Sequence, residues 1–220
     1  MVVAESTGVA AEHRAPLTRA RIMATAVQLA DGSGVEGLSM RKLAAQLGFE
    51  VMSLYTHVSG KGDLLDGMVD AVAAEIALPE RSTFWRRDLR EIAIATHASL
   101  ARHPWAAPLW ATRAPGPARL AHMEALLRAL AGAGLPPEVA DRGFHAVVNH
   151  VLGHTMQEQA FVFEGDQDAA AAEFLAGLDP AEFPHLIEHV RAHLAGQAPD
   201  VGFEFVLDLI LDSLERAAQH

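Results

Sequence analysis

Apolar residues recur along this chain every three or four positions, which is the spacing of one face of an α-helix. The first such stretch contains Ile22, Ala26 and Leu29 and follows Thr18, a residue type that caps the N-termini of helices. Glycines follow it closely, so we expect the first helix to end there. No segment alternates between apolar and polar residues as a half-buried strand would. The pattern predicts an all-α protein.

Three more helices are predicted before residue 79. Ser39 can cap a short helix that ends at Gly48, and a second short helix is expected from about residue 50 to residue 57. Asp63 can cap a longer helix, and Pro79 ends it because proline lacks the backbone N–H that a helix needs. The apolar side chains expected to pack on or beside these three helices are Leu43, Leu47, Phe49, Leu54, Val58, Leu64, Leu65, Met68, Val72 and Ile76.

Prolines divide the remaining chain into several further helices. A long helix is predicted within residues 142–163, with apolar side chains on one side and a polar stripe on the other. Residues 164–182 are predicted to form a loop or a poorly anchored helix, and residues 203–217 a C-terminal helix with an apolar face opposed by acidic residues. The apolar residues are Val147, Val148, Val151, Leu152 and Met156 on the long helix, and Phe203, Val206, Leu207, Ile210, Leu214 and Ala217 on the C-terminal one.

The net charge changes the picture because it is unevenly distributed. The 220 residues have a formal net charge of −11, which taken alone argues against a polyanionic partner such as DNA. Residues 14–62, however, carry a net charge of +3 and include both lysines of the protein, while the remaining chain is strongly acidic. A local basic segment can bind phosphates although the whole chain is acidic. Two parts with different chemistry are therefore predicted.

The composition excludes several classes of protein. Half of the residues are apolar, which is too many for a disordered chain, yet no run of about 18 apolar residues could span a membrane. Without cysteine, the chain has no disulfide framework, no cysteine-ligated zinc finger and no thiol nucleophile. We therefore expect a cytoplasmic protein with no signal peptide and no membrane partner.

Residues 39–58, SMRKLAAQLGFEVMSLYTHV, have the layout of a helix-turn-helix. In this unit a short first helix and a tight turn present a second helix to the major groove of DNA. Gly48 stands at the turn, and Ala44 is small where the two helices must approach each other closely. The alternative interpretation is an ordinary helical hairpin within a bundle.

A wider set of residues accompanies this motif. It consists of Ala26, Leu29, Gly34, residues 37–44, Leu47, Gly48, Ser53, Leu54, Tyr55, His57, Val58, Lys61, Leu64 and Leu65. The segment from residue 17 to residue 72 resembles the DNA-binding domain of the TetR family of transcriptional regulators, and within that family the tetracycline-repressor branch. Residues 203–211 are similar to the C-terminal helix of the same branch.

The resemblance implies a domain organisation. A flexible tail at residues 1–15 would precede a three-helix, helix-turn-helix DNA-binding domain at residues 16–62. A larger helical domain at residues 63–220 would bind a ligand and dimerise. Its C-terminal helix and the helix starting near Pro137 would pair with their counterparts in a second subunit, although the same apolar face could also pack within one subunit.

The predicted DNA contacts fall into two classes. Tyr55, His57 and Lys61 offer hydroxyl, imidazole and ammonium groups to phosphates, and such contacts set register rather than sequence. Arg41 can grip a guanine, and apolar side chains suit thymine methyl groups, although partial core packing is the alternative for Val51 and Met52. The remaining members of the predicted DNA-binding set are Ser39, Met40 and Ser53.

The resemblance also implies that the middle of the chain forms an effector pocket. The polar stripe of the long helix, which contains a glycine, would then be the wall of a polar-lined pocket. The alternative is that some of these residues face solvent or a partner subunit. The predicted pocket residues are His97, Trp110, His145, Asn149, His150, Gly153, His154, Gln157 and Phe161.

Three sets of residues match metal-binding or nucleotide-binding motifs only in part. His150, His154 and Glu158 have metal-ligand spacing, as do His185, His189 and His193, but neither set contains the His-Glu-x-x-His pattern of a zinc protease. The glycines at positions 32, 34 and 37 match a dinucleotide-binding fingerprint but follow a helix instead of a strand. We therefore expect neither a metal site nor a cofactor.

The sequence thus predicts a homodimeric transcriptional regulator, a repressor that a small-molecule effector releases from double-stranded operator DNA. It is not expected to be an enzyme, because it lacks a paired acid–base constellation or a nucleotide-binding loop. Two alternatives stay open: an all-helical, metal-dependent enzyme that uses the histidine clusters, and a helical adaptor without a ligand.

Overall fold

Every regular element among the described residues is an α-helix, as predicted. The computed structural model describes residues 16–80, 84–160, 167–195 and 202–219. None of the helices in these ranges is both long and apolar enough to cross a membrane. The helices are α1 (Arg19–Ser33), α2 (Met40–Leu47), α3 (Val51–Leu54), α4 (Lys61–Ala74), α5 (Trp85–Arg102), α6 (Ala106–Thr112), α7 (Pro117–Ala131), α8 (Pro137–Ala160), α9 (Gln167–Ala176), α10 (Pro184–Leu194) and α11 (Phe203–Ala217).

The first two helices begin and end where their capping residues predict. The Thr18 hydroxyl accepts the backbone N–H of Arg21, and the Ser39 hydroxyl accepts that of Lys42, each at 3.2 Å. Gly48 ends α2 with φ of 72°, a left-handed conformation that residues with a Cβ rarely adopt. The sequence alone therefore determines these boundaries.

The next two helices differ from the prediction. α3 covers only residues 51–54, because the Leu54 carbonyl then accepts the amides of both His57 and Val58 and closes a turn. α4 begins at Lys61, so Asp63 lies in its first turn and does not cap it. The Asp63 carboxylate instead accepts the Ser59 N–H at 2.8 Å and forms an ion pair with Arg19. α4 ends at residue 74, before the predicted Pro79.

α4 lies between two groups of helices. It packs against α1 on one side and against α7 on the other. Beyond it, α5, α7, α8 and α11 pack on one another and form a second part of the core. The segment for which a loop or a poorly anchored helix is predicted contains α9, which packs against α10.

Some apolar side chains of α11 point into the core, and others point to solvent. Phe203, Leu207, Leu211 and Leu214 are buried within the subunit. Gly143 lets α8 approach this face closely, since a Cβ there would lie 2.8 Å from a methyl carbon of Leu214. Two large apolar residues of α11, Phe205 and Leu209, stay more than half exposed.

Candidate DNA-binding face and ligand cavity

The helix-turn-helix forms as predicted, on a small apolar core. Leu43 and Leu47 of α2, Leu54 of α3 and Val58 after it are all buried, and Ala44 is buried where α2 meets α3. These contacts hold α3 on the surface and leave one of its sides open to solvent.

The predicted base-reading residues separate into exposed and packed ones. Met52 is 73% exposed, and Arg41 is also exposed, with no hydrogen bond or ion pair from its guanidinium to the described residues. Met40 and Val51 are half-buried and pack against the core, which is the alternative that the sequence left open for Val51. The half-buried Ser53 lies beside them, whereas Ser39 uses its hydroxyl to cap α2.

The predicted phosphate-binding residues lie where α3 gives way to α4. Tyr55 and Lys61 are exposed, and His57 is half-buried. Arg19 connects this region to α1, because its guanidinium donates to the His57 carbonyl at 2.8 Å and forms an ion pair with Asp63. The hydrogen bonds from Arg19 and from the Ser59 amide lower the pKa of Asp63 to about 2. The ion pair therefore sets the position of the α3–α4 junction relative to α1.

A cavity of about 280 Å³ lies among α5, α6, α7 and α8. Its size is close to the lower end of small-molecule sites, which are about 300–1,000 Å³. Apolar residues form most of its wall, and four buried residues add polar groups and an aromatic face. These four are Thr96, Trp110, Arg119 and His122.

The protonation of His122 follows from its hydrogen bond. The Thr96 hydroxyl donates to the Ile92 carbonyl at 2.6 Å, so it can only accept from His122 Nε2, which lies 2.8 Å away. Burial and the nearby charge of Arg119 lower the pKa of His122 to about 4. His122 is therefore a neutral ring at pH 7, with its hydrogen on Nε2 and an acceptor lone pair on Nδ1.

Arg119 is the only buried side chain among the described residues with a polar atom that has no partner. Its terminal nitrogens donate to the carbonyls of Trp110 at 2.6 Å and Arg113 at 2.9 Å, but its Nε–H donates to nothing. The guanidinium also lies over the Trp110 ring, 5.0 Å from the centroid. A buried donor without an acceptor costs about 1–3 kcal/mol, so an acceptor atom from a ligand would stabilise the site.

The cavity contains some of the predicted pocket residues and adds others. Trp110 lines it, and His145 and Asn149 stand at its exposed edge. Arg119 and His122 were not predicted, although their positions could have indicated them. They share one face of α7 with Ala125, Leu126 and Ala129 at spacings of three and four, so two polar residues interrupt a buried apolar face.

Three predicted pocket residues lie elsewhere. His97 of α5 and His150 and His154 of α8 surround the Phe203 ring, with centroid distances of 4.2, 4.8 and 5.5 Å. His150 and His154 each lie five positions after a cavity residue, His145 and Asn149 respectively, which turns them by about 140° around α8 and towards Phe203. Gly153 and Gln157 are exposed, and Phe161 lies outside the described residues.

Hydrogen bonds connect the cavity to α4. The backbone carbonyl of Arg113 accepts a hydrogen bond from Arg119. The guanidinium of Arg113 donates to Asp66 at 2.6 Å and to the Gly62 carbonyl at 2.5 Å. Gly62 directly follows Lys61. A change around Arg119 can therefore reach the first turn of α4 through one residue.

A second connection reaches α1. His103 lies between Asp31 of α1, with Nδ1–Oδ1 at 2.8 Å, and Glu75 after α4, with Nε2–Oε2 at 3.2 Å. Trp105 Nε1 donates to the same Asp31 oxygen at 2.7 Å. The end of α1 is thus held by the segment that joins α5 to α6.

A larger groove of about 850 Å³ separates α1 and α4 from residues 114–117. Its carboxylates are already engaged: Asp31 with His103, Asp66 with Arg113, and Asp70 with the backbone amides that start α7. No unpaired buried donor faces this groove among the described residues. The smaller cavity is therefore the better candidate for a ligand site.

Comparisons with known proteins agree with this geometry. Residues 78–218 match the sequence profile described as "Tetracyclin repressor-like, C-terminal domain". An HTH-type transcriptional regulator of Saccharopolyspora erythraea is 38% identical over 84% of this chain and 77% of its own length. The HTH-type transcriptional repressor DrrR1 of Streptomyces coeruleorubidus is 35% identical over 90% of this chain and 77% of its own length.

The fold also matches solved structures. ActR of Streptomyces coelicolor, a TetR family protein solved in complex with actinorhodin, superposes with a TM-score of 0.77. It is 29% identical, and the match covers 94% of this chain and all of the ActR chain.

Proposed function

The chain belongs to the tetracycline-repressor-like (TetR) family of transcriptional regulators, and we propose that it is a repressor that leaves its operator DNA when a small molecule fills the cavity among α5 to α8. The observation that carries this proposal is the connection from the unpaired Arg119 donor, through Arg113, to the first turn of α4. It links a candidate ligand site to a candidate DNA-binding face.

On the DNA side, we assign base reading to Arg41 and Met52. Both side chains are exposed, and Arg41 has no partner among the described residues that would hold it back. A guanidinium can bind the O6 and N7 of guanine, and a thioether can contact a thymine methyl group. Tyr55, His57 and Lys61 bind phosphates, and the N-terminus of α4 adds its backbone amides to the Lys61 charge.

The cavity is suited to a compact aromatic compound that carries oxygen acceptors. Its ring would pack on Trp110, and a carbonyl, phenolate or carboxylate oxygen would accept the Arg119 Nε–H. A hydroxyl of the compound would donate to the lone pair of His122 Nδ1. The binding of actinorhodin by ActR supports a small organic effector for a chain of this fold.

The release mechanism follows from the Arg113 contacts. A compound that accepts the unpaired Nε–H draws the Arg119 guanidinium towards itself, and the same guanidinium holds the carbonyls of Trp110 and Arg113 through its terminal nitrogens. A shift of Arg113 moves Gly62 and Asp66, and with them Lys61 and the end of α3. An effector that binds the shifted form better lowers the affinity for DNA, typically about 5- to 150-fold.

The protein acts as a homodimer. α8 and α11 border a shallow apolar groove lined by Val139, Ala146, Val206, Leu209 and Ile210. Phe205 and Leu209 are 58% and 52% exposed on this part of α11, and such a face is commonly covered by a partner. Two copies would place two recognition helices about 34–36 Å apart, one turn of DNA.

The first experiment selects DNA bound by the purified protein from a random duplex pool and then measures release by aromatic compounds with oxygen acceptors. We expect one palindromic site, salt-dependent binding, and release by a subset of the compounds. Failure to enrich any sequence would contradict the assignment of the DNA-binding face.

A second experiment tests the connection with a matched pair of variants. R113A removes the guanidinium that reaches α4, whereas R86A removes one of similar exposure that bridges α5 to Asp212 and Glu215 of α11. We expect R113A to bind the DNA-releasing compound with unchanged affinity, measured by calorimetry. The compound should, however, lower the affinity of R113A for DNA only weakly. R86A should respond like the wild type. An equal response of both variants would contradict the route through Arg113.

A further inference from the structure

The side chains of His97, His154 and Glu158 come together close to the N-terminus of α11. Glu158 Oε1 lies 3.2 Å from His154 Nε2, and Glu158 Oε2 lies 3.5 Å from His97 Nε2. The three ligand atoms are within 4.8 Å of one another, and no other such group of three occurs in the part of the chain that the structure describes. One carboxylate thus faces two imidazoles, one with each oxygen.

The hydrogen of His97 is on the nitrogen that faces away from this point. The Thr155 hydroxyl donates to the Val151 carbonyl at 2.7 Å, so it accepts from His97 Nδ1 at 2.9 Å. In the neutral ring, Nε2 therefore carries a lone pair.

Two acceptors consequently face each other. The lone pair of His97 Nε2 and the Glu158 carboxylate are 3.5 Å apart, and two acceptors at this distance do not attract unless a cation lies between them. We propose that His97, His154 and Glu158 bind a divalent transition-metal ion, Zn²⁺ in the first place.

The ligand set is typical of zinc and unlike that of magnesium or calcium. Two imidazole nitrogens and one carboxylate oxygen, with water as the fourth ligand, form a common zinc environment. Ligands of tetrahedral Zn²⁺ lie about 3.3 Å apart, given bonds of about 2.0 Å, so the present separations need only small side-chain rotations. His154 and Glu158 are one helical turn apart on α8, which keeps their side chains on one face.

The surroundings orient the two imidazoles. Phe203 stacks on His97, with ring planes 14° apart, and contacts His154 edge to face, with ring planes 67° apart. Thr155, with no exposed surface, supplies the hydrogen-bond acceptor that fixes the His97 tautomer, a role that outer-shell groups often have around metals.

The site differs from the one that sequence spacing suggests. The spacing groups His150 with His154 and Glu158, but His150 Nε2 donates to the Phe203 carbonyl at 2.8 Å and is already engaged. His97, more than 50 residues earlier on α5, takes its place. Only the packing of α5 on α8 brings this third ligand into position.

The experiment titrates Zn²⁺ into the chelator-treated full chain, without DNA or effector, so its result is independent of the proposed repressor function. We expect one Zn²⁺ per chain, no comparable binding of Mg²⁺, and visible absorption bands of a tetrahedral site when Co²⁺ replaces Zn²⁺. H154Q and E158Q should each lower the Zn²⁺ affinity by more than about 100-fold, and T155V by about 10- to 100-fold.

A matched control separates this site from general binding by surface histidines. His145 also lies on α8 and faces a carboxylate one turn away, Asp141 at 3.8 Å, but it belongs to no group of three in the described residues. H145Q should bind Zn²⁺ like the wild type. Circular dichroism of each variant without metal checks that it is folded. Zn²⁺ binding that persists in H154Q and E158Q, or the absence of 1:1 binding in the wild type, would overturn the proposal.

Discussion

The candidate DNA-binding face and the candidate ligand cavity contain the same residue types in opposite environments. Arg41 is exposed and makes no hydrogen bond or ion pair to the described residues, whereas Arg119 is 7% exposed and holds two backbone carbonyls. His57 is half-buried at the edge of the DNA-binding face, whereas His122 is 4% exposed and hydrogen-bonded to Thr96.

Because of this difference, substitutions on the candidate DNA-binding face should affect function without affecting stability, whereas substitutions in the candidate cavity should affect both. An exposed side chain can be exchanged with little effect on folding, so the DNA-binding face can change its target sequence freely. A buried polar group supports the fold through the same hydrogen bonds that orient it for a ligand. Changes of effector specificity should therefore be accompanied by changes of stability.

The same substitution in both regions should produce the largest contrast. R119M leaves the Trp110 and Arg113 carbonyls without their donors and should lower the free energy of unfolding by about 2–4 kcal/mol. R41M should change it by less than about 0.5 kcal/mol, because Arg41 is exposed. Urea unfolding of both variants measures the difference. Equal stability of the two variants would contradict the contrast between the regions.

Among the histidines, His122 in the cavity should contribute most to the pH dependence of stability, because its pKa is shifted furthest. The pKa of His122 is about 4 in the folded chain and 6.5 in an ordinary imidazole, so between these values the unfolded chain binds more protons. The contribution of the neutral ring is complete above pH 6.5 and decreases by about 1.4 kcal/mol per pH unit as the pH falls towards 4.

Replacing His122 tests this origin. H122Q removes the titrating group, so its stability should depend less steeply on pH between 6.5 and 4 than that of the wild type. Unfolding midpoints measured at several pH values give the slope. N149A, at the exposed edge of the same cavity, removes no titrating group and should keep the wild-type slope. An unchanged slope in H122Q would assign the pH dependence to other groups.

Within the DNA-binding face, two substitutions should act differently. R41A should relax the preference for the base it contacts by about 1–3 kcal/mol. K61A should weaken binding to all sequences alike and reduce the slope of log affinity against log salt by about 1. Binding to the selected site and to random DNA over a range of salt concentrations measures both effects. Equal losses on both kinds of DNA for both variants would remove the division into reading and positioning residues.

The smallest effect is expected for the ion pair between Arg19 and Asp63. D63N should lower the free energy of unfolding at pH 7 by no more than about 1 kcal/mol, because both side chains are partly exposed. The pKa of Asp63 is about 2, below its ordinary value of 3.8, so its contribution is present above pH 4 and is lost as the pH falls through 2. Wild type and D63N should therefore converge in stability at low pH, and a constant difference would show that the charge is not the cause.

Local interactions explain why much of the N-terminal region could be predicted. The Thr18 and Ser39 caps, the left-handed Gly48 and the buried Leu43, Leu47 and Leu54 all act within a few residues of where they stand in the chain. One error there, the assignment of the α4 cap, arose from a contact between residues far apart in the chain. Asp63 was predicted to cap α4, but Arg19, 44 residues away, draws its carboxylate into an ion pair.

The polar residues of the central region could be found in the sequence but not grouped correctly. His97, His145, Asn149, His150 and His154 all read as residues of one pocket. In the structure His145 and Asn149 line the cavity, whereas His97, His150 and His154 surround Phe203. Successive side chains of α8 are turned by about 100°, so different neighbouring helices contact its different sides.

The sequence by itself determined the helical class and the helix-turn-helix, since periodicity, caps and turns depend on neighbouring residues. Only the tertiary structure decided which polar side chains meet. Arg119 reaches the carbonyls of Trp110 and Arg113, and His97 reaches Glu158, across gaps in the chain that no local pattern encodes. Burial then lowered the pKa of His122 and, among the described residues, left one buried side-chain donor, Arg119 Nε–H, without a partner.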